Sequence, residues 1–337
     1  MKDSPMKKVF IIAEAGVNHN GSLALAKRLI DAAKKAGADA VKFQSFIAEE
    51  GISINAPKAD YQLKTTTRNE SQIEMLKKLE LSYSDHLKLL AYCKKKKIGF
   101  LSTACDLKSV DMLKRLKVKA IKIASCDLVN IPLLRCVAKL GKKVFLSTGM
   151  STLGEVSNAV EELRKNGSPD ITLLHCVTEY PCPPEEINLR KMLTLKKNFN
   201  LPVGFSDHSQ GVSTSLAAVA LGAEVIERHF TLDRNLKGPD HKASLEPDSL
   251  FSLVKSIREI ESALGSPEFV PAKSELKNIN IMRRKIVAAR AIKKGEVLSA
   301  GNLAFKRAQG GLIPDNYDLV VGRTATKNYN PDDVIIL

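Results

Sequence analysis

An alternation constrains this chain more than any other feature. Short apolar runs rich in Val, Ile and Phe are followed by amphipathic stretches of helical period, and the pair recurs eight times. The runs fall at 8–16, 40–46, 99–105, 120–126, 142–150, 171–178, 201–208 and 223–230. Helical patterns lie between them, for example at 22–37, 84–97, 151–166 and 212–222, and "PDSLFSLVKSIREIESALG" follows the eighth run. Eight strand-then-helix units over about 260 residues predict an α/β chain built as a (β/α)8 TIM barrel. A doubly wound sheet is the alternative. It usually has fewer strands and often a glycine-rich phosphate turn, and "AEAGVNHNG" contains no G-x-G-x-x-G.

The alternation stops at Gly265, which bounds a barrel domain at 1–265. "SPEFVPAKSELKNINIMRR" has little apolar period, and 266–281 reads as a connector. From 282 to 337 short β-like runs and turn signals predict a small β-rich module with no helix of any length. A module that small buries little core alone.

Composition excludes several classes. The longest apolar runs, "VFIIA" and "LAAVALGA", are too short to span a bilayer, and the N-terminus lacks a signal-peptide core, so a cytoplasmic protein is expected. Six cysteines form no C-x-x-C pair and read as reduced thiols. The net charge of +15 comes mostly from lysines on expected helix faces. Aromatics are only 5%, with no tryptophan, so stacking platforms for nucleic acid are lacking, and neither nucleic acid nor membrane is expected as a partner.

The chemistry gathers where the runs end. In a barrel, polar side chains at the C-terminal ends of the strands share one mouth. The first run ends in Glu14, with Asn18 and His19 beyond it, and the second offers Lys42 and Gln44. Ser102 and Thr103, then Lys122, Ser125 and Asp127, then Ser147 and Thr148 end the next three. The sixth offers His175, Thr178, Glu179 and Tyr180, and the last two offer Ser206, Asp207, His208, Arg228 and His229. His208 and His229 end neighbouring runs, and paired strands lie about 4.8 Å apart, so two imidazoles can share a metal ion. Lys42 and Lys122 follow apolar residues toward the interior, where an unpaired ammonium is costly. Two lysines with the hydroxyls of Thr103, Ser125, Ser147 and Ser206 suit a phosphate and a carboxylate on one small ligand. His175 is read as facing the barrel interior, where a third ligand and a core polar residue are equally open. His86 is read as a surface residue of a helix.

Together, "IAEAGVNHNGS", "VKFQSF", "LSTGM", "LLHCVTEYPCPPEEINL", "VGFSDHSQG", "ALGAEVIERHFTLD" and "GPDHKASLEP" resemble the sialic acid synthase family, in its bacterial N-acetylneuraminate and legionaminate branch. "YQLKTTTRNESQIEMLKKLEL" is similar to the same branch, and the tail from Arg284 resembles its antifreeze-like SAF domain. The resemblance implies that phosphoenolpyruvate condenses with the open-chain aldehyde of N-acetylmannosamine and water, giving N-acetylneuraminate and phosphate by C–O cleavage. The same chemistry on 2,4-diacetamido-2,4,6-trideoxymannose, giving legionaminic acid, or on a pseudaminic acid precursor, is the alternative. A carbohydrate- or polyanion-binding protein on an inactive barrel is the alternative from another class.

The resemblance further implies Mn2+ or Mg2+ on His208 and His229. It implies phosphoenolpyruvate on Lys42, Thr103, Lys122, Ser125, Ser147 and Ser206, with Glu14, Asp127 and Lys122 catalytic. Gln44, Tyr180, Asp240 and Arg307 become sugar contacts. Arg307 belongs to the tail that the family extends into a neighbouring subunit, which implies a homodimer with swapped SAF domains. The chain departs from many relatives at "STACD", where Pro and Phe are replaced by Ala104 and Cys105. It departs again at "ASCD", where Cys126 replaces Gly and Asp127 stands for Glu.

Overall fold

The computed structural model describes residues 8–66 and 69–337. Residues 1–7 lie outside it, as do Thr67 and Arg68 of the 61–81 motif and the side chains of Tyr61 and Lys64. Eight parallel strands close into a barrel in chain order. They are β1 (Phe10–Gly16), β2 (Ala40–Ser45), β3 (Gly99–Ala104), β4 (Ala120–Ile123), β5 (Lys143–Ser147), β6 (Ile171–Cys176), β7 (Val203–Asp207) and β8 (Val225–His229). Closure through the β1–β8 pairing leaves no free sheet edge.

Side chains alternate across this wall. Outward, Ile11, Ala13, Val41, Phe43, Ile121 and Phe205 join the core shared with the helices. That core is supplied by amphipathic helices such as Leu23–Ala36, which buries Ala26, Leu29, Ile30, Ala33 and Ala36. Its start is fixed by Ser22, whose side chain accepts from Leu25 N, and its end by Gly37 at φ 86°. Inward, Ile12, Leu101, Phe145, Leu174 and Val225 form a separate apolar plug. Gly204 faces this plug because a Cβ there would sit 2.4 Å from the Val225 carbonyl and 2.7 Å from Leu174 Cδ2.

Two expectations need correcting. The fourth run ends early, at Ile123, and Ser125–Asp127 instead form one 3-10 turn beyond the strand. The stretch 266–281, expected as a connector, carries most of a helix, Lys273–Met282. None of its residues is buried, so it shows none of the periodic apolar burial by which helices are read from sequence.

Contacts divide the chain into two compact units between Ser266 and Pro267. The second unit holds the antiparallel pair β9 (Arg284–Ala288) and β10 (Leu303–Arg307). Its core includes Ile286, Ile292, Leu298, Val320, Tyr329 and Ile335. One helical turn, Tyr317–Val320, was not anticipated. Among the described residues, no helix is long and apolar enough to cross a membrane.

Candidate active site

One layer above the apolar plug, the same inward positions change character. Glu14 pairs in register with both Lys42 and His229, and Thr103 pairs with Gln44 and Lys122. Register alone therefore gathers these groups. Lys42 Nζ lies 2.8 Å from Glu14 Oε1 and 3.7 Å from Glu227 Oε1, and it donates to Thr103 Oγ1 at 3.0 Å. Lys122 Nζ lies 3.7 Å from the same Glu227 oxygen, which also accepts from Ser206 Oγ at 2.9 Å. Gln44 Nε2 donates to Glu14 Oε1 at 3.1 Å.

Charge in this buried layer is unevenly held. Burial opposes ionisation of Glu227, but the ammoniums of Lys122 and Lys42 and the Ser206 hydroxyl bring its carboxyl down to about 2. Burial raises the Glu14 carboxyl, and Lys42 offsets this only in part. Burial also opposes the Lys42 charge, yet Glu14 and Glu227 outweigh it and raise its pKa. Lys122 is lowered by burial, with Glu227 a partial offset. Two lysines and two glutamates thus share one buried layer, with Glu227 held ionised by both ammoniums while burial works against the charge of Glu14 and Lys122. Glu14 Oε2, Glu227 Oε2 and Ser147 Oγ are buried without a hydrogen bond. Such atoms are rare in folded proteins and mark places where a ligand or water completes the set.

The hydroxyl side of the mouth is tightly built. Gly149 N donates to Ser125 Oγ at 3.0 Å, and Ser125 Oγ sits 3.2 Å from Cys176 Sγ. A Cβ on Gly149 would meet Thr178 Oγ1 at 2.6 Å and Ser125 Oγ at 2.8 Å, so only glycine lets this backbone come so close. Asp127 is half-buried, accepts from Asn130 Nδ2 at 3.1 Å, and has its pKa raised by burial.

The rings of His208 and His229 stand edge to face with centroids 5.5 Å apart. Burial, aided at His208 by His229 and at His229 by Lys42, lowers both to about 3, so both are neutral at physiological pH. His208 Nδ1 donates to the Val177 carbonyl at 2.7 Å, which leaves Nε2 as a free lone pair. His229 Nδ1 is buried without a hydrogen bond and lies 3.7 Å from Asp240 Oδ2. Burial raises that carboxyl to about 7. Two neutral imidazoles, one fixed by a carbonyl and the other facing a carboxyl, fit a divalent cation. Among the described residues, no group of three or more His, Cys, Asp or Glu is placed to hold a metal, so water and substrate would complete the shell. Tyr180 stacks on His208 at 4.1 Å and approaches His229 edge-on at 5.7 Å. A cavity of about 540 Å³ opens beside it, lined also by Gln210, Arg234, Asn235 and Lys242.

The sequence reading missed Glu227, the hub of the charged layer. It sits two residues before His229 and therefore on the same face of β8, a parity that could have found it. Cys176 was missed for the same reason. Three histidine and strand-end readings are corrected. His175 faces the helices: its Nε2 donates to the Ile187 carbonyl at 2.6 Å, and its ring stacks on Phe205. His86 is buried, bonded to Ser45 Oγ at 2.9 Å and to the Ser82 carbonyl at 3.0 Å. Asp207 and Arg228 pair at 2.7 Å on the outer face of the wall. Arg307 lies in the second unit, exposed at the end of β10.

A sequence profile of the NeuB family matches residues 29–269, and one of the SAF domain matches 283–335. The chain belongs to the NeuB family. It is 55% identical to the N,N'-diacetyllegionaminic acid synthase of Campylobacter jejuni, covering 98% of this chain and 99% of that protein. It is 42% identical to the synthase of the same name from Legionella pneumophila, over 97% and 93%. The crystal structure of the N-acetylneuraminic acid synthetase of Leptospira borgpetersenii, determined with citrate, superposes with a TM-score of 0.73 at 41% identity, covering 81% of this chain and 90% of that one. This NeuB-family chain is a phosphoenolpyruvate-dependent C–C bond-forming transferase of the sialic acid synthase type.

Proposed function

We propose that this enzyme condenses phosphoenolpyruvate with the open-chain aldehyde of 2,4-diacetamido-2,4,6-trideoxymannose, yielding N,N'-diacetyllegionaminic acid and phosphate. The observation that carries the choice of sugar is the 55% identity over nearly full length to the Campylobacter enzyme. The sequence reading put N-acetylmannosamine first. The 41% identity to the Leptospira enzyme favours that second reading, but over less of the chain.

The geometry supports the chemistry. Lys42 and Lys122, with Thr103, Ser125, Ser147 and Ser206, bind the phosphate and carboxylate of phosphoenolpyruvate. Both ammoniums are buried beside Glu14 and Glu227, so little solvent competes with the anion for them. His208 and His229 hold Mn2+ or Mg2+, which supplies a Lewis acid for the aldehyde oxygen when bound. Gln44, Tyr180 and Asp240 orient the sugar beside the 540 Å³ cavity. The enol π electrons of C3 form the bond to the aldehyde carbon, the aldehyde C=O π bond breaks, and its oxygen takes up a proton to become a hydroxyl. Water adds at C2, the C2–O bond breaks, and phosphate leaves. Asp127, with its raised pKa, takes the proton of that water, and Glu14 offsets positive charge developing at C2.

The proposal includes a homodimer in which the partner subunit's Arg307 enters the mouth. It is supported by exposed apolar residues at Phe269, Val270, Leu276, Ile281 and Met282. The six free thiols suit a reducing cytoplasm. The test is phosphate release from phosphoenolpyruvate with Mn2+ and each sugar in turn. The highest kcat/KM is expected with the diacetamido sugar. A higher value with N-acetylmannosamine returns the enzyme to the N-acetylneuraminate reading, and turnover with no sugar of this class removes the synthase reading.

A further inference from the structure

Each candidate metal ligand follows, in the chain, one half of a buried ion pair on the opposite face of its strand. Asp207 precedes His208, and Arg228 precedes His229. Arg228 is 1% exposed, and its Nη1 meets Asp207 Oδ1 at 2.7 Å. The same nitrogen donates to the Asp207 carbonyl at 3.1 Å, while Nη2 donates to the carbonyls of Ser209 and, at 2.8 Å, Gly211. Arg228 Nε is buried without a hydrogen bond, whereas both carboxylate oxygens of Asp207 are engaged. Its Oδ1 accepts from Ser209 N at 2.8 Å and Ser209 Oγ at 2.7 Å, and its Oδ2 accepts from Thr214 Oγ1 at 2.8 Å and Ser215 Oγ at 2.5 Å.

This knot ties the end of β7, the loop that follows His208, the first turn of helix Ser213–Ala220, and β8. Two well-packed apolar side chains would hold the strands together without the desolvation cost of buried charges. They would not hold the loop carbonyls of Ser209 and Gly211, between which and β7 the His208 backbone is clamped. We propose that Asp207 and Arg228 are positioning residues for the divalent cation: they set the spacing and orientation of the two imidazoles without touching the ion. This rests on the metal reading of His208 and His229 given above.

The test is Mn2+ binding, followed by the loss of the free-ion electron paramagnetic resonance signal, beside phosphoenolpyruvate binding to metal-free enzyme by calorimetry. In Asp207→Asn the Mn2+ dissociation constant is expected to rise about 10- to 100-fold, the range for partners that orient metal ligands, with phosphoenolpyruvate affinity within about 2-fold of wild type. Ser215→Ala keeps the ion pair and the fold, and a smaller, several-fold weakening is expected there. Folded variants that lower the melting temperature but bind Mn2+ as wild type does would overturn the proposal, leaving the knot a stabilising feature only. Wild-type enzyme that binds no Mn2+, yet still binds phosphoenolpyruvate, would remove the metal reading instead and this inference with it.

Discussion

Two layers of the barrel interior, two residues apart on the same strands, differ completely. Ile12, Leu101, Leu174 and Val225 form a dry plug, while Glu14, Thr103, Cys176 and Glu227 follow them by one inward step. The backbone treats the layers alike, since both are hydrogen-bonded in the same register. Only side-chain chemistry separates them. The lower layer stabilises the fold by burying apolar area. The upper layer sets charges against one another at a cost in desolvation that the fold itself does not need.

Substitutions in each layer sharpen this contrast. The largest effect is expected for Lys42→Met, which removes the cation shared by Glu14 and Glu227. The expected loss in kcat/KM is about 10³-fold, read from phosphate release, in keeping with removal of a preorganised electrostatic contact. Leu174→Ala in the plug should do the reverse. A loss of about 2–5 kcal/mol in denaturant unfolding is expected from the lost methylenes and the cavity, with KM for phosphoenolpyruvate within about 2-fold of wild type. If Leu174→Ala instead abolished phosphoenolpyruvate binding in folded enzyme, the two layers would not be separable.

A smaller effect should appear in acid. The Glu227 carboxyl is depressed from its ordinary 4.5 to about 2 in the folded chain. Its stabilising contribution is therefore present above about pH 4.5 and is lost as the pH falls toward 2. Melting temperatures across that window should fall with pH in wild type and fall less steeply in Glu227→Gln. An unchanged slope in the variant would show that Glu227 is not held ionised. The smallest effect is expected at the rim, where Cys126 is exposed. Cys126→Ser should change stability by no more than about 0.5 kcal/mol in thermal unfolding.

The contrast also explains what could be read from sequence. The eight strands were legible because a parallel sheet buried on both faces writes a continuous apolar run, as in "VFIIA". The ends of those runs gave Lys42, Lys122, His208 and His229 as departures from apolarity. What failed was the phase of the alternation. In "VIERHF" three charged or polar residues stand together, and only the wall's geometry sends Glu227 and His229 inward and Arg228 outward. His175 was assigned to the wrong face for the same reason. His86 was hidden because it follows the polar residues Ser84 and Asp85 in the first turn of its helix, so nothing local signals a bond to Ser45 on β2. The helix Lys273–Met282 was invisible because it buries nothing.

The measurement that bears most directly on the upper layer is a calorimetric titration of phosphoenolpyruvate into the enzyme without sugar. One site per chain is expected in wild type, with Leu174→Ala retaining it and Lys122→Met binding at least about 100-fold more weakly. Equal affinity in wild type and Lys122→Met would contradict the claim that the buried cations of this layer hold the anionic substrate.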